Sequence, residues 1–91
     1  MELDKLIRLC SQQHREAQSE LFTRYNDKLF TLCLKYCKNR PEAEDNLQDA
    51  FIKIFQNIDR YRHKGSFEGW MKRIVINSAI DRYKKSCTCI P

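Results

Sequence analysis

Residues 43–85 read AEDNLQDAFIKIFQNIDRYRHKGSFEGWMKRIVINSAIDRYKK, and the fold turns on this stretch. Leu47, Ala50, Phe51, Ile54, Phe55 and Ile58 recur at steps of three and four. So do Phe67, Trp70, Met71, Ile74, Val75, Ala79 and Tyr83, and each set is the apolar face of an amphipathic helix. Between them DRYRHKGS (59–66) loses the period, which predicts an exposed basic loop. Ser66 is placed to cap the second of these helices, Glu68 suits its positive end, and that helix is expected to run to about Lys85.

Upstream, Lys38-Asn39-Arg40-Pro41 breaks the pattern, and a proline fits best in a first helical turn, so the earlier of the two helices begins near Pro41. Its opening acids Glu42, Glu44 and Asp45 complement the helix dipole. From about Glu16 to Cys37, Leu21, Phe22, Tyr25, Leu29, Leu32, Cys33 and Tyr36 mark another long helix. A short one carries Leu3, Leu6, Ile7 and Cys10 and ends near Ser11, a residue suited to capping the long helix after it. The expected fold is all-α, a compact bundle of three long helices with a short N-terminal helix, forming one domain over residues 1–85. Residues 86–91, SCTCIP, read as the start of an interdomain linker. A chain of 91 residues supports one core, and two Gly and two Pro are too few for a turn-rich β-sandwich.

No stretch reaches the roughly 18 apolar residues of a membrane span, and the opening MELDKLIRLC carries acids where a signal peptide carries bases. A cytoplasmic protein with no membrane partner is expected. Five cysteines, an odd number without framework spacing, point to reduced thiols. Cys33 and Cys37 share a helical face and could pair on a metal, but small buried hydrophobes are the commoner reading. Cys87 and Cys89 could join His14 or His63, yet no second CxxC or HxxxH completes a set. No cofactor or metal is expected. The chain also has no Gly-rich phosphate loop, GxSxG or HExxH, which argues against an enzyme.

Charge divides unevenly along the chain. Residues 1–50 carry eight Lys/Arg against nine Asp/Glu, whereas residues 51–91 carry nine against three. The overall charge of +5 is therefore a property of the C-terminal half, and such an excess suits either a polyanion or a solvated lysine face. Nucleic acid is favoured by the mixture of cations with aromatics. Arg60, Tyr61, Arg62, His63 and Lys64 run into Phe67 and Trp70, and Lys72, Arg73, Asn77, Arg82, Lys84 and Lys85 come after them. Cations hold phosphates, rings stack bases, and an amide such as Asn77 can read a base edge. Tyr61, flanked by cations, is the better stacking ring; Trp70 at helical spacing reads first as core.

These two motifs in this order resemble the second conserved region of extracytoplasmic-function sigma factors of bacterial RNA polymerase, a branch of the sigma-70 family. The resemblance rests on Ala43-Glu44-Asp45 with Gln48 and Phe51, then Phe67 and Trp70 with Ile74, Asn77, Asp81 and Arg82, and covers nearly the whole chain. It implies docking of the acidic helix on the clamp helices of the largest catalytic subunit of core RNA polymerase, through Asp45, Gln48, Asp49 and Phe51. It implies capture of a flipped non-template base of the promoter minus-ten element by the loop from Arg60 to Lys64. The helix from Phe67 would then grip the neighbouring DNA, with Arg73 and Asn77 as direct contacts and Arg82, Lys84 and Lys85 on phosphate. An anti-sigma factor commonly regulates such proteins. Two departures stand out: Asn46 occupies a position where the family usually shows an apolar residue, and the sequence ends at Pro91, before the second domain that normally reads the minus-thirty-five element. A generic helix-turn-helix reader of intact duplex and a protein-only helical module remain as alternatives.

Overall fold

The computed structural model describes residues 2–88, with side chains described as far as Lys84. Its helices are α1 (Leu3–Ser11), α2 (Arg15–Tyr36), α3 (Arg40–Asn57) and α4 (Phe67–Thr88), with a 3-10 turn, Ile58–Arg60, closing α3. α4 thus continues three residues past Lys85. Among the described residues no helix is long and apolar enough to cross a membrane.

The start of each long helix is held by a local side-chain bond. The α2 cap is His14, whose Nδ1 accepts the Ala17 amide at 3.2 Å. Ser11, the residue expected to cap it, stays in α1 and donates its hydroxyl to the Arg8 carbonyl at 2.7 Å. The intervening turn places Gln13 in the left-handed region, so the chain re-enters a helix three residues later than Ser11 would allow. At α3 the Asn39 side chain accepts the Glu42 amide at 2.9 Å, and the Glu42 carboxylate accepts the Lys38 amide at 2.8 Å. The Glu42 side chain thus reaches back one residue beyond the cap, to Lys38 rather than to the Asn39 amide that a capping box would engage. At α4 the Ser66 hydroxyl accepts the Gly69 amide at 3.0 Å, as the sequence predicts.

The three long helices pack on one another, and α1 lies against α2 and the 3-10 turn. α2 contributes one ridge of every fourth residue, Ala17, Leu21, Tyr25, Leu29 and Cys33, all buried. α3 inserts Ala43, Leu47, Ala50, Phe51 and Ile54, and α4 adds Phe67, Met71 and Val75. This ridge is narrower than the apolar pattern of the sequence. Phe22, Tyr36 and Tyr83 fall beside the helix contacts and remain largely exposed. Ridges that interdigitate need only one row of residues each, so flanking apolar positions are left at the rim.

Asn46 is fully buried. Its Nδ2 on α3 donates to the Cys33 sulfur on α2 and to the Val75 carbonyl on α4, both at 3.4 Å, while Oδ1 has no protein partner. One polar side chain therefore spans the junction of all three long helices. Val75 lies within a helix and its carbonyl already has a backbone partner. Asn46→Leu is expected to leave stability unchanged or raise it by about 1 kcal/mol, because it removes an unpaired acceptor. Asn46→Ala should instead cost about 1–2 kcal/mol by opening a void. Urea unfolding midpoints of the two variants measure the difference.

Candidate nucleic-acid interface

The basic loop is built around Tyr61. Its amide donates to the Ile58 carbonyl at 3.2 Å, and its hydroxyl donates to the Gly65 carbonyl at 2.9 Å, tying the two ends of the loop. Its ring lies 4.7 Å from His63, 5.2 Å from Phe67 and 5.5 Å from Trp70. The backbone reverses through left-handed conformations at His63 and Gly65. Gly65 adopts this region freely, whereas at His63 it costs roughly 1 kcal/mol, which the surrounding contacts must offset. Tyr61 is thus a half-buried organiser packed on the core, not the freely exposed stacking ring that its charged neighbours suggest. Arg60, Arg62, His63 and Lys64 are exposed around it.

Where the loop meets α4, Lys64, Gly65, Ser66, Gly69, Trp70 and Arg73 line an open cleft of about 270 Å³. Trp70 is half-buried, stacked 5.5 Å from Phe67 while also bordering the cleft. Phe67 is only 4% exposed and meets Tyr25 edge-on at 6.1 Å, which withdraws it from direct contact with a ligand. Trp70, which at helical spacing reads first as core, therefore reaches the cleft, whereas Phe67 is the core residue. Helical spacing puts both on the same side, but Phe67 in the first turn faces α2, and Trp70, about 300° further round, reaches the edge of the face. Arg73 is exposed at the cleft, and Asn77 is exposed one turn beyond it. Lys84 is exposed further along α4, and the Lys85 side chain lies outside the described residues. A ring beside two cations and an amide can stack a base, hold phosphate and read an edge. The cleft on the other side of the loop contains Asp4 and Asp59 beside Arg8 and His63, a poorer match for a polyanion.

α3 presents a different surface. Asp45, Gln48 and Asp49 are exposed, but Phe51 is 3% exposed, with its ring 4.7 Å from Phe22 and 5.9 Å from Phe55. It lies one turn after Leu47 on the buried stripe of α3, so its ring is withdrawn from the outer face on which the sequence reading placed it. The large apolar residue on the outer face is Ile52, 55% exposed. Its spacing of seven from Asp45 would have placed it there from the sequence. Arg82 also differs from its expected role on phosphate: it lies on the side of α4 facing α3, where its guanidinium pairs with the Asp49 carboxylate. Its Nε is buried without a protein partner.

The thiols lie apart from this surface. Burial and nearby Glu20 push Cys10 up to about 11, and burial also raises Cys33 and Cys37. Protonated thiols are weak ligands and nucleophiles at neutral pH. Among the described residues no three His, Cys, Asp or Glu side chains converge as a metal site. The Cys87 side chain and the whole of Cys89 lie outside the described residues.

The family described as Sigma-70 region 2 matches residues 21–86. The chain belongs to the sigma-70 region 2 family. The resemblance of this region 2 domain extends to proteins of the extracytoplasmic-function branch. It is 35% identical over 85 residues to the ECF RNA polymerase sigma factor SigW of Bacillus subtilis, covering 93% of this chain and 46% of that protein. It is 33% identical over 66 residues to ECF RNA polymerase sigma factor SigE of Mycolicibacterium smegmatis, covering 72% and 25%. The domain spans less than half the length of these relatives. Its fold matches an engineered region 2 of sigmaE, solved by NMR in complex with GTAAAA, with a TM-score of 0.85 over 99% of this chain and 98% of that one at 23% identity. In this region 2 domain the Asp49–Arg82 pair joins α3 to α4. Asp49→Arg or Arg82→Asp alone should each lower stability by about 1 kcal/mol, with the double exchange recovering roughly half, in thermal unfolding of the two single variants and the pair.

Proposed function

We propose that this domain directs transcription initiation by docking on core RNA polymerase through the outer face of α3 and by capturing a flipped non-template base of the minus-ten element beside the 61–66 loop. Asp45 and Gln48 on α3, with Asp49 as a shared partner of Arg82, are the docking residues, and the clamp helices of the largest catalytic subunit are the surface they meet. Arg60, Arg62, His63 and Lys64 attract the strand. Trp70 supports the base, Arg73 and Asn77 touch it or its neighbour, and Lys84 lies toward phosphate upstream. The observation that carries this reading is the cleft at the loop–α4 junction, where a half-buried ring, two cations and a nearby exposed amide converge away from the acids of α3.

Flipping a base costs a few kcal/mol of unstacking, which is recovered only when the base fits its pocket, so recognition and strand opening become one event. Phosphate contacts release counterions and make binding steeply salt-dependent. Docking on polymerase raises the effective concentration of the domain at the promoter. The long connection between α3 and α4, a 3-10 turn and six further residues, favours strand capture over the three- or four-residue turn of a duplex-reading helix-turn-helix.

Asp45→Arg should abolish co-purification with core polymerase while leaving the melting temperature unchanged; retained binding would refute the α3 interface. The domain should bind a single-stranded minus-ten oligonucleotide more tightly than the same sequence as duplex, and Asn77→Ala should weaken the former about tenfold, within the 1–3 kcal/mol of a base contact. Fluorescence anisotropy with both forms provides the comparison, and equal or tighter duplex binding would favour a helix-turn-helix reader.

A further inference from the structure

A second groove lies between α2 and α4, lined by Lys28, Thr31, Leu32 and Lys35 from α2 and by Glu68 and Lys72 from α4, with a volume of about 370 Å³. One carboxylate serves two of the three ammonium groups there. Glu68 Oε1 accepts from Lys28 Nζ at 3.2 Å, and its Oε2 lies 3.1 Å from Lys72 Nζ. Lys35 is exposed and has no carboxylate partner among the described residues. The groove therefore keeps two positive charges after its own acid is counted. Lys28 and Lys35 are seven residues apart, about 10 Å along α2.

This groove adjoins the cleft of the loop. Lys72 borders the one and Arg73 the other, and Gly69 neighbours both on the helix surface, one turn before them. With no side chain at Gly69, the ridge between the two depressions is backbone alone. A Cβ there would come within 2.9 Å of the Ser66 hydroxyl that caps the helix.

We propose that the groove between α2 and α4 is a second phosphodiester site, in which Lys28, Lys35 and Lys72 hold the backbone of the same single strand after it crosses Gly69, with Glu68 as the internal counter-ion that limits its strength. This rests on the proposed capture of a single strand at the loop cleft and extends the binding surface from α4 to α2. A clasp joining α2 to α4 would need only the Lys28–Glu68 pair. It accounts neither for the excess of cations over acids nor for the position of the groove at the end of the cleft. A positively charged channel beside a stacking ring is how sequence-tolerant single-strand sites track a backbone.

The test is the salt dependence of single-strand binding by the 91-residue chain, measured by anisotropy with a labelled minus-ten oligonucleotide extended on either side of the captured base. Each phosphate contact in a single strand contributes about 0.7 to the slope of log K against log salt, so Lys28→Gln with Lys35→Gln should lower the slope by about 1.4. Glu68→Gln should tighten binding several-fold at low salt and steepen the slope. Neither change should appear with an oligonucleotide that stops at the captured base. An unchanged slope in the double lysine variant, with binding still dependent on Arg73 and Asn77, overturns the groove and leaves the loop cleft standing. Failure of the wild-type chain to bind either oligonucleotide overturns both.

Discussion

The arrangement depends on burying one ridge of α2 between α3 and α4. Ala17, Leu21, Tyr25, Leu29 and Cys33 rise every fourth residue and meet the apolar rows of both other long helices. Because a single row is consumed, the orientation of α3 and α4 about their own axes is set, and with it the side each presents to solvent. Asp45, Gln48 and Ile52 face outward on α3 for the same reason that Phe51 faces inward. Arg73 and Asn77 face outward on α4 for the same reason that Met71 and Val75 do not. Surface chemistry here is a product of core geometry.

Electrostatics then separates the surfaces. Four acids, Glu42, Glu44, Asp45 and Asp49, lie on α3, while all but one of the cations of residues 51–91 lie between Arg60 and Lys85. At their border Asp49 and Arg82 neutralise one another and tie the helices together. Such a half-exposed pair adds little stability, about 1 kcal/mol or less, so its structural value is chiefly to fix the relative placement of the two helices. Glu68 does the same on the other flank, where two lysines hold its carboxylate below the usual carboxylate range.

The fold was largely legible in the sequence. Apolar periodicity identified every helix, Pro41 and Ser66 marked two of the starts, and the break at residues 59–66 located the loop. The start of α2 was legible to within a residue, but its cap was not, because a histidine takes a role for which serine has the stronger intrinsic preference. At the site, the charged residues were legible because exposure is their default, and Asn77 and Arg73 are exposed. The aromatics were not, since whether a ring at a face's edge turns inward depends on which neighbouring helix lies beneath it. Phe51 and Phe67 turn in, Trp70 stays at the rim, and Tyr61 is absorbed by a loop whose hydrogen bond no periodicity can reveal. The Asp49–Arg82 pair was illegible for a similar reason: its partners lie 33 residues apart on separate helices.

The bond from the Tyr61 hydroxyl to the Gly65 carbonyl has a kinetic meaning. A loop already closed on itself surrenders little backbone freedom when it receives a ligand, and ordering each free residue would otherwise cost about 1–2 kcal/mol. For the proposed capture of a base, the waiting step then moves to the nucleic acid. In the base capture proposed above, a pre-shaped receptor of this kind would sample every transient opening of the duplex as it occurs, and the lifetime of the unstacked base, rather than any rearrangement of the protein, would set how often an encounter becomes a capture.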